Sequence, residues 1–247
     1  MADWNDTGRR QTGFSSVPRA GDAVARRETF DAGLRSHMLS IYNYMASGVL
    51  LTGIVAMLTY QSGLAVSFAS GPLMWIVALS PLAFVMAMSF GLNKMSRGTL
   101  QILFWAFATV MGLSLSTIFL RFTGESIAAT FFATAGAFAG LSLFGYTTKK
   151  DLSGMGTFLV MGVIGLLIAM VINMFLGSST LGLVISFLGV LIFAGLTAYD
   201  TQRLKREYEY LRGTEFVGKA VIMGALSLYL DFINMFMFLL QFMGNRE

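Results

Sequence analysis

The amino-acid sequence predicts an all-α integral membrane protein that crosses the bilayer seven times. Three observations predict it. Of 247 residues, 55% are hydrophobic and only 12% charged, with a mean hydropathy of +0.69, whereas a soluble domain carries about 25% charged residues. The hydrophobic residues gather into seven runs of 19–24 residues, the length a helix needs to cross about 30 Å of hydrocarbon at about 1.5 Å per residue. Fifteen of the 17 lysines and arginines fall in alternate segments between the runs, the asymmetry by which membrane proteins are oriented. A water-soluble globule, a disordered chain and a nucleic-acid-binding domain are excluded, and the net charge of +4 belongs to topology. Without cysteine, disulfides, thiol catalysis and cysteine-ligated metals are excluded as well.

Residues 1–36 are polar, of mixed charge, and lack the apolar stretch of a cleavable signal. They are expected to form a disordered cytoplasmic tail ahead of a transmembrane domain over residues 37–247. The seven runs are Met38–Tyr60, Leu73–Leu92, Thr99–Leu120, Ser126–Gly145, Met155–Leu176, Leu181–Tyr199 and Ala220–Met243. A transmembrane barrel would show alternating segments of about ten residues, and the unbroken apolar stretch Phe158–Val171 excludes it. His37 is placed at the interface ahead of the first run. Pro81 predicts a kink in the second. Gly136 and Gly140, a GxxxG step in the fourth, are read as close helix contacts, like Gly112 and Gly162. Asn173 is read as an interhelical hydrogen-bonding residue, and Gly177-Ser-Ser-Thr180 as a hairpin turn. Six basic residues precede the first run, two lie in each of the next two linkers on that face, and five lie between the sixth and seventh runs. That face is expected to be cytoplasmic, with the N-terminus inside, the C-terminus outside and a bacterial inner membrane as the location. Only Arg121 and Arg246 fall on the other face.

No Lys, Arg or Glu interrupts any run. Asp231 stands well inside the seventh, and Asp200 directly follows the sixth. An ionisable group in hydrocarbon costs at least about 2.5–3.5 kcal/mol and marks function by default. Gly224, Ser227, Asp231, Asn234 and Gln241 share one helix face by their spacing, as do Ser186, Gly189, Phe193, Thr197 and Asp200. A narrow polar stripe on an otherwise apolar helix belongs inside the bundle. Ser227, Asn234, Thr197 and Ser186 are therefore candidate pathway-lining residues, although small polar residues also serve simply to let helices approach. Two carboxylates meeting in a low dielectric titrate as a coupled unit that can hold one shared proton. Hard cations prefer oxygen ligands, so Asp200 and Asp231 are also candidates for a transient Ca²⁺ contact. Span arithmetic puts Asp231 about 16 Å deeper than Asp200, so they meet only if the sixth helix ends below the surface or the seventh enters late. The charged segment Thr201–Lys219 is expected to continue the sixth helix into the cytoplasm; its arginines are read as a solvated face, with neutralisation of Asp200 the second reading.

Ala198-Tyr-Asp-Thr-Gln-Arg-Leu-Lys205, Ala225-Leu-Ser-Leu-Tyr-Leu-Asp-Phe-Ile-Asn-Met-Phe236 and Tyr146-Thr-Thr-Lys-Lys-Asp-Leu-Ser153 resemble motifs of the Bax inhibitor-1 family, over roughly residues 30 to 245. The resemblance implies a seven-helix fold wrapped around a central last helix. It implies a pH-sensitive calcium leak or transport activity associated with suppression of cell death, and an aspartyl pair, here Asp200 and Asp231, as pH sensor and gate. Some family members add an acid in the second helix, where this chain has Ala78-Leu-Ser-Pro-Leu-Ala83 and none. One branch is linked to a membrane-bound protease, so the alternative is a regulatory protein that binds such a partner through its tail. Paired aspartates also resemble presenilin-type intramembrane proteases, which carry Gly-x-Gly before the second aspartate; Leu228-Tyr-Leu230 replaces it here. The expected partners are lipid, Ca²⁺ and H⁺, and no enzymatic activity, cofactor or nucleic acid is expected.

Overall fold

The computed structural model describes the backbone of residues 20–245 and the side chains of residues 30–245. The chain divides at Ser36/His37, and the packing below belongs to the part that begins at His37. Helix α1 spans Ala20–Gln61, α2 Leu64–Phe68, α3 Gly71–Gly91, α4 Arg97–Leu115 with a 3₁₀ turn to Leu120, α5 Gly124–Thr147, α6 Ser153–Leu176, α7 Ser179–Leu211 and α8 Val217–Met243. All but α2 are long and apolar enough to cross a membrane. The protein is a multi-pass integral membrane protein, and each predicted run falls within one of these seven helices or, at its ends, the adjoining residue.

The tail is the first departure from expectation. Residues 20–36 are helical, with four alanines and three arginines among them as good helix formers. The remainder of the tail, residues 1–19, lies outside the described residues. The two-residue gap before α2 is made by Gly63 at φ 77°, a conformation that a Cβ would disfavour.

Burial orders the helices. In α8, 72% of the most apolar window is buried, against 39% in α7 and no more than 33% elsewhere, so the last helix is the central one. It packs on α7, α5 and α4. Its Tyr229 is fully buried, with Phe104 and Phe107 of α4 edge-on at 6.3 and 5.1 Å. Thr52 of α1 holds the Tyr229 hydroxyl at 2.6 Å and donates to the Ala108 carbonyl at 2.8 Å. Phe232 meets Phe131 and Phe138 of α5, and Phe238 stacks on Phe193 of α7 above Gly189.

Two small features depart from their sequence reading, the Gly136/Gly140 step and Asn173. At Pro81, α3 runs on uninterrupted. The missing proline N–H frees the Val77 carbonyl, and the Ser80 hydroxyl bonds it at 2.9 Å. Gly136 and Gly140 face open space, whereas Gly145, Gly112, Gly156 and Gly189 meet neighbouring helices and Gly162 meets Ile192. Asn173 caps its own hairpin by accepting from the Ser178 amide at 3.1 Å. His37 is buried, its ring 5.0 Å from that of Tyr208.

Candidate functional site

Why Asp200 and Asp231 can meet follows from where α7 ends. Hydropathy falls at Asp200, but the residues after it, Gln202-Arg-Leu-Lys-Arg-Glu207, are good helix formers, so α7 runs to Leu211. The turn to α8 is made at Gly213, φ 81°. From Asp200 to Leu211 is about 16 Å of helix, and from Val217 to Asp231 about 21 Å. The two aspartates therefore sit at comparable depth on antiparallel neighbours. The helix after the sixth run does not end near Asp200 but continues to Leu211, and α8 begins at Val217, so the shared depth comes from the similar lengths of helix on either side of the turn.

Asp200 is 6% exposed and Asp231 5%. They lie within electrostatic reach of each other and of the Arg203 guanidinium. Arg203 takes Asp200 with both terminal nitrogens, at 3.1 Å to Oδ1 and 3.3 Å to Oδ2. The same guanidinium donates to Ser227 Oγ on α8 at 3.1 Å. Its Nε is 3.4 Å from Glu207 Oε1 without hydrogen-bond geometry, a charge contact only. The bidentate pair fixes Arg203 in a planar fork and makes it a bridge from the α7 carboxylate to α8. Asp231 has no such partner: its Oδ2 is buried without a hydrogen bond. A buried acceptor left unmade costs about 1–3 kcal/mol.

The α5–α6 linker is tied to α7 just beyond Asp200. Gln202 accepts from the Leu152 amide at 2.8 Å and donates to the Lys150 carbonyl at 2.7 Å. Arg206 reaches Asp151 at 2.9 Å and the Ser153 hydroxyl. Hydrogen bonds from the Ser153 hydroxyl and amide, with Arg206 beside them, hold the Asp151 carboxyl below the usual carboxylate range. Lys205 donates to the Tyr146 carbonyl at 3.0 Å. Between helices, Gly145 lies against the Ala198 backbone and Gly156 against the Tyr199 ring.

A family model described as an inhibitor of apoptosis-promoting Bax1 matches residues 34–247. The chain belongs to the Bax inhibitor-1 family. Among its relatives, the inner membrane protein YbhL of Escherichia coli K12 is 42% identical over 234 residues, covering 93% of this chain and 98% of that protein. An uncharacterized protein of Caulobacter vibrioides is 48% identical over 232 residues, 88% of this chain and 92% of its own. One from Rickettsia prowazekii is 44% identical over 231 residues, 91% and 95% respectively.

In this family member the predicted stripe residues separate. Ser227 joins the site through Arg203. Ser186 faces α8, donating to the Gly182 carbonyl and, at 3.3 Å, to Gln241. Thr197 and Asn234 donate back to the Phe193 and Leu230 carbonyls of their own helices. As for metal, the described residues contain no group of three or more His, Cys, Asp or Glu able to hold an ion. A cation reaching the aspartates would have only two carboxylates, one of them held by Arg203. Arg203 is the residue the sequence reading undervalued. Its spacing, three residues after Asp200 on one helix, was the available signal. A solvated face fits Arg212 and the outer turns of α7 better than it fits Arg203.

Proposed function

We propose that this protein is a proton-regulated passive pathway for Ca²⁺, with Asp200 and Asp231 as the gate. The observation that carries this is the Asp231 carboxyl, buried in the central helix with an unpartnered oxygen beside a second, arginine-bound aspartate. Protonation decides what Asp231 can do. Protonated, it is a hydrogen-bond donor that can use Asp200 or a backbone carbonyl; ionised, it is an acceptor-only anion facing another carboxylate. Those two states favour different α7–α8 spacings, so the hairpin is the element that proton concentration biases. A hard cation offers the ionised pair an alternative partner to Arg203. Gating rather than hydrolysis is supported by the residues ahead of Asp231. Tyr229 is fully buried among Phe104, Phe107 and Thr52, leaving no room for an extended peptide substrate.

In liposomes loaded with a Ca²⁺ indicator, the wild-type protein is expected to pass Ca²⁺ at a rate that depends on pH. Asp231→Asn and Asp200→Asn should each flatten that dependence. An unchanged pH response in both variants rejects the gate. We place the basic end of the bundle in the cytoplasm, as the distribution of Lys and Arg requires, in an inner membrane like that named for YbhL. Since the chain has no cysteine of its own, Thr214→Cys provides a single label between α7 and α8. Labelling by a membrane-impermeant thiol reagent is expected in inverted vesicles and not in intact spheroplasts; the opposite result would reverse the topology.

A further inference from the structure

Beside the aspartates, and outside the gate itself, a cavity of about 300 Å³ opens between α7, α8 and the end of α3. Its walls change character along its length. Leu92, Leu211, Phe216 and Lys219 form one end; Arg203 and Ser227, eight residues deeper on α7 and α8, form the other, so it runs about 12 Å along the helix pair. Leu204, Ala220 and Met223 make the rest apolar. Glu207 is its one acid, and that carboxylate already faces Arg203.

Arg203 is already matched by Asp200 and Glu207, but the cations at the other end are not matched by acids. Lys219 Nζ donates to the Leu92 carbonyl at 3.3 Å and sits 5.2 Å from the Phe216 ring centre, contacts that orient an ammonium without neutralising it. Arg97, first residue of α4, lies against Gly218 next to Lys219. Among the described residues no acidic side chain pairs with Lys219 or Arg97. A site with unpaired cations at its outer end, a carboxylate-bound arginine at its inner end and an apolar wall between them complements an anion attached to hydrocarbon. Guanidinium and ammonium groups are the usual partners of phosphate oxygens, and the basic end of a membrane protein draws acidic lipid.

We propose that this cavity binds the phosphate of an acidic phospholipid headgroup, with Lys219 and Arg203 as its cationic partners and Arg97 at its rim. The lipid, rather than a soluble phosphate ester, is favoured by the apolar wall of Leu204, Ala220 and Met223, which a free ester would leave uncovered. A phosphate seated on Arg203 competes with Asp200 for the same guanidinium. Occupancy would thus release the Asp200 carboxylate, a consequence that rests on the gate reading, whereas binding itself does not.

The full-length protein in a neutral detergent would be titrated with phosphatidylglycerol, and bound lipid counted by native mass spectrometry. Phosphatidylcholine serves as the uncharged comparison and glycerol 3-phosphate as the soluble source of the same anion. Phosphatidylglycerol should be retained at least about fivefold over phosphatidylcholine, and Lys219→Gln should weaken its retention about fivefold, the worth of one basic residue at a lipid surface. Arg121→Gln, at the far end of the bundle, should leave it unchanged. Equal retention of the two lipids, or equal behaviour of the two variants, overturns the site. Displacement of the lipid by an equimolar amount of glycerol 3-phosphate overturns the lipid as occupant. Because retention is read without Ca²⁺, a failed flux experiment would reject the gate and leave this result standing.

Discussion

Gly145→Val is expected to lower the stability of the folded bundle by about 1–3 kcal/mol, the usual cost of forcing atoms into a filled interface. A Cβ at Gly145 would land on the backbone carbonyl of Ala198. Backbone cannot rotate away as a flexible side chain can, so α5 and α7 must separate along their whole contact. Ala198 lies two residues from Asp200, within one helical turn, so the variant should disturb the gate as well as the fold. Gly136→Val supplies the comparison on the same helix. Nothing lies within 4 Å of its Cβ position, and valine there should leave the thermal midpoint in detergent unchanged within error. Equal midpoints for the two variants would mean that α5 does not approach α7 at Gly145.

Arg203→Gln is the second large effect, and its size depends on pH. Removing one partner of a fully buried ion pair costs about 3–5 kcal/mol. The Arg203 side chain is 36% exposed, so solvent screens part of that and a loss of about 1–3 kcal/mol is expected. The penalty exists only while Asp200 is ionised. Lowering the pH until Asp200 binds a proton removes the uncompensated charge, and the midpoints of variant and wild type should then converge. The double variant Arg203→Gln/Asp200→Asn should lie close to wild type at every pH, since it removes the buried charge with its partner and leaves only the half-exposed Glu207 to solvent. A pH-independent difference between Arg203→Gln and wild type would show that Arg203 stabilises by packing alone.

Both predictions concern contacts that hydropathy cannot reveal. The Gly136/Gly140 step had the spacing of a helix-packing motif, yet it faces outward while Gly145 makes the contact. Spacing identifies residues on one face; it does not say which neighbour that face meets. Asn173 shows the same limit, since an amide at a helix end can bond across to another helix or back to its own turn, and the turn took it.

What the sequence determined by itself was the membrane class, the seven spans and the two acids worth attention. The reason is that hydrocarbon tolerates few polar groups: an apolar run of sufficient length must span, and a buried carboxylate stands out against it. Only the tertiary structure decided that the aspartates share a depth, because hydropathy marks where a helix leaves lipid and not where its backbone stops being helical. The i,i+3 spacing singled out Arg203 as a partner for Asp200, but only the fold brought the same guanidinium to Ser227, since that contact depends on the rotation of α7 against α8.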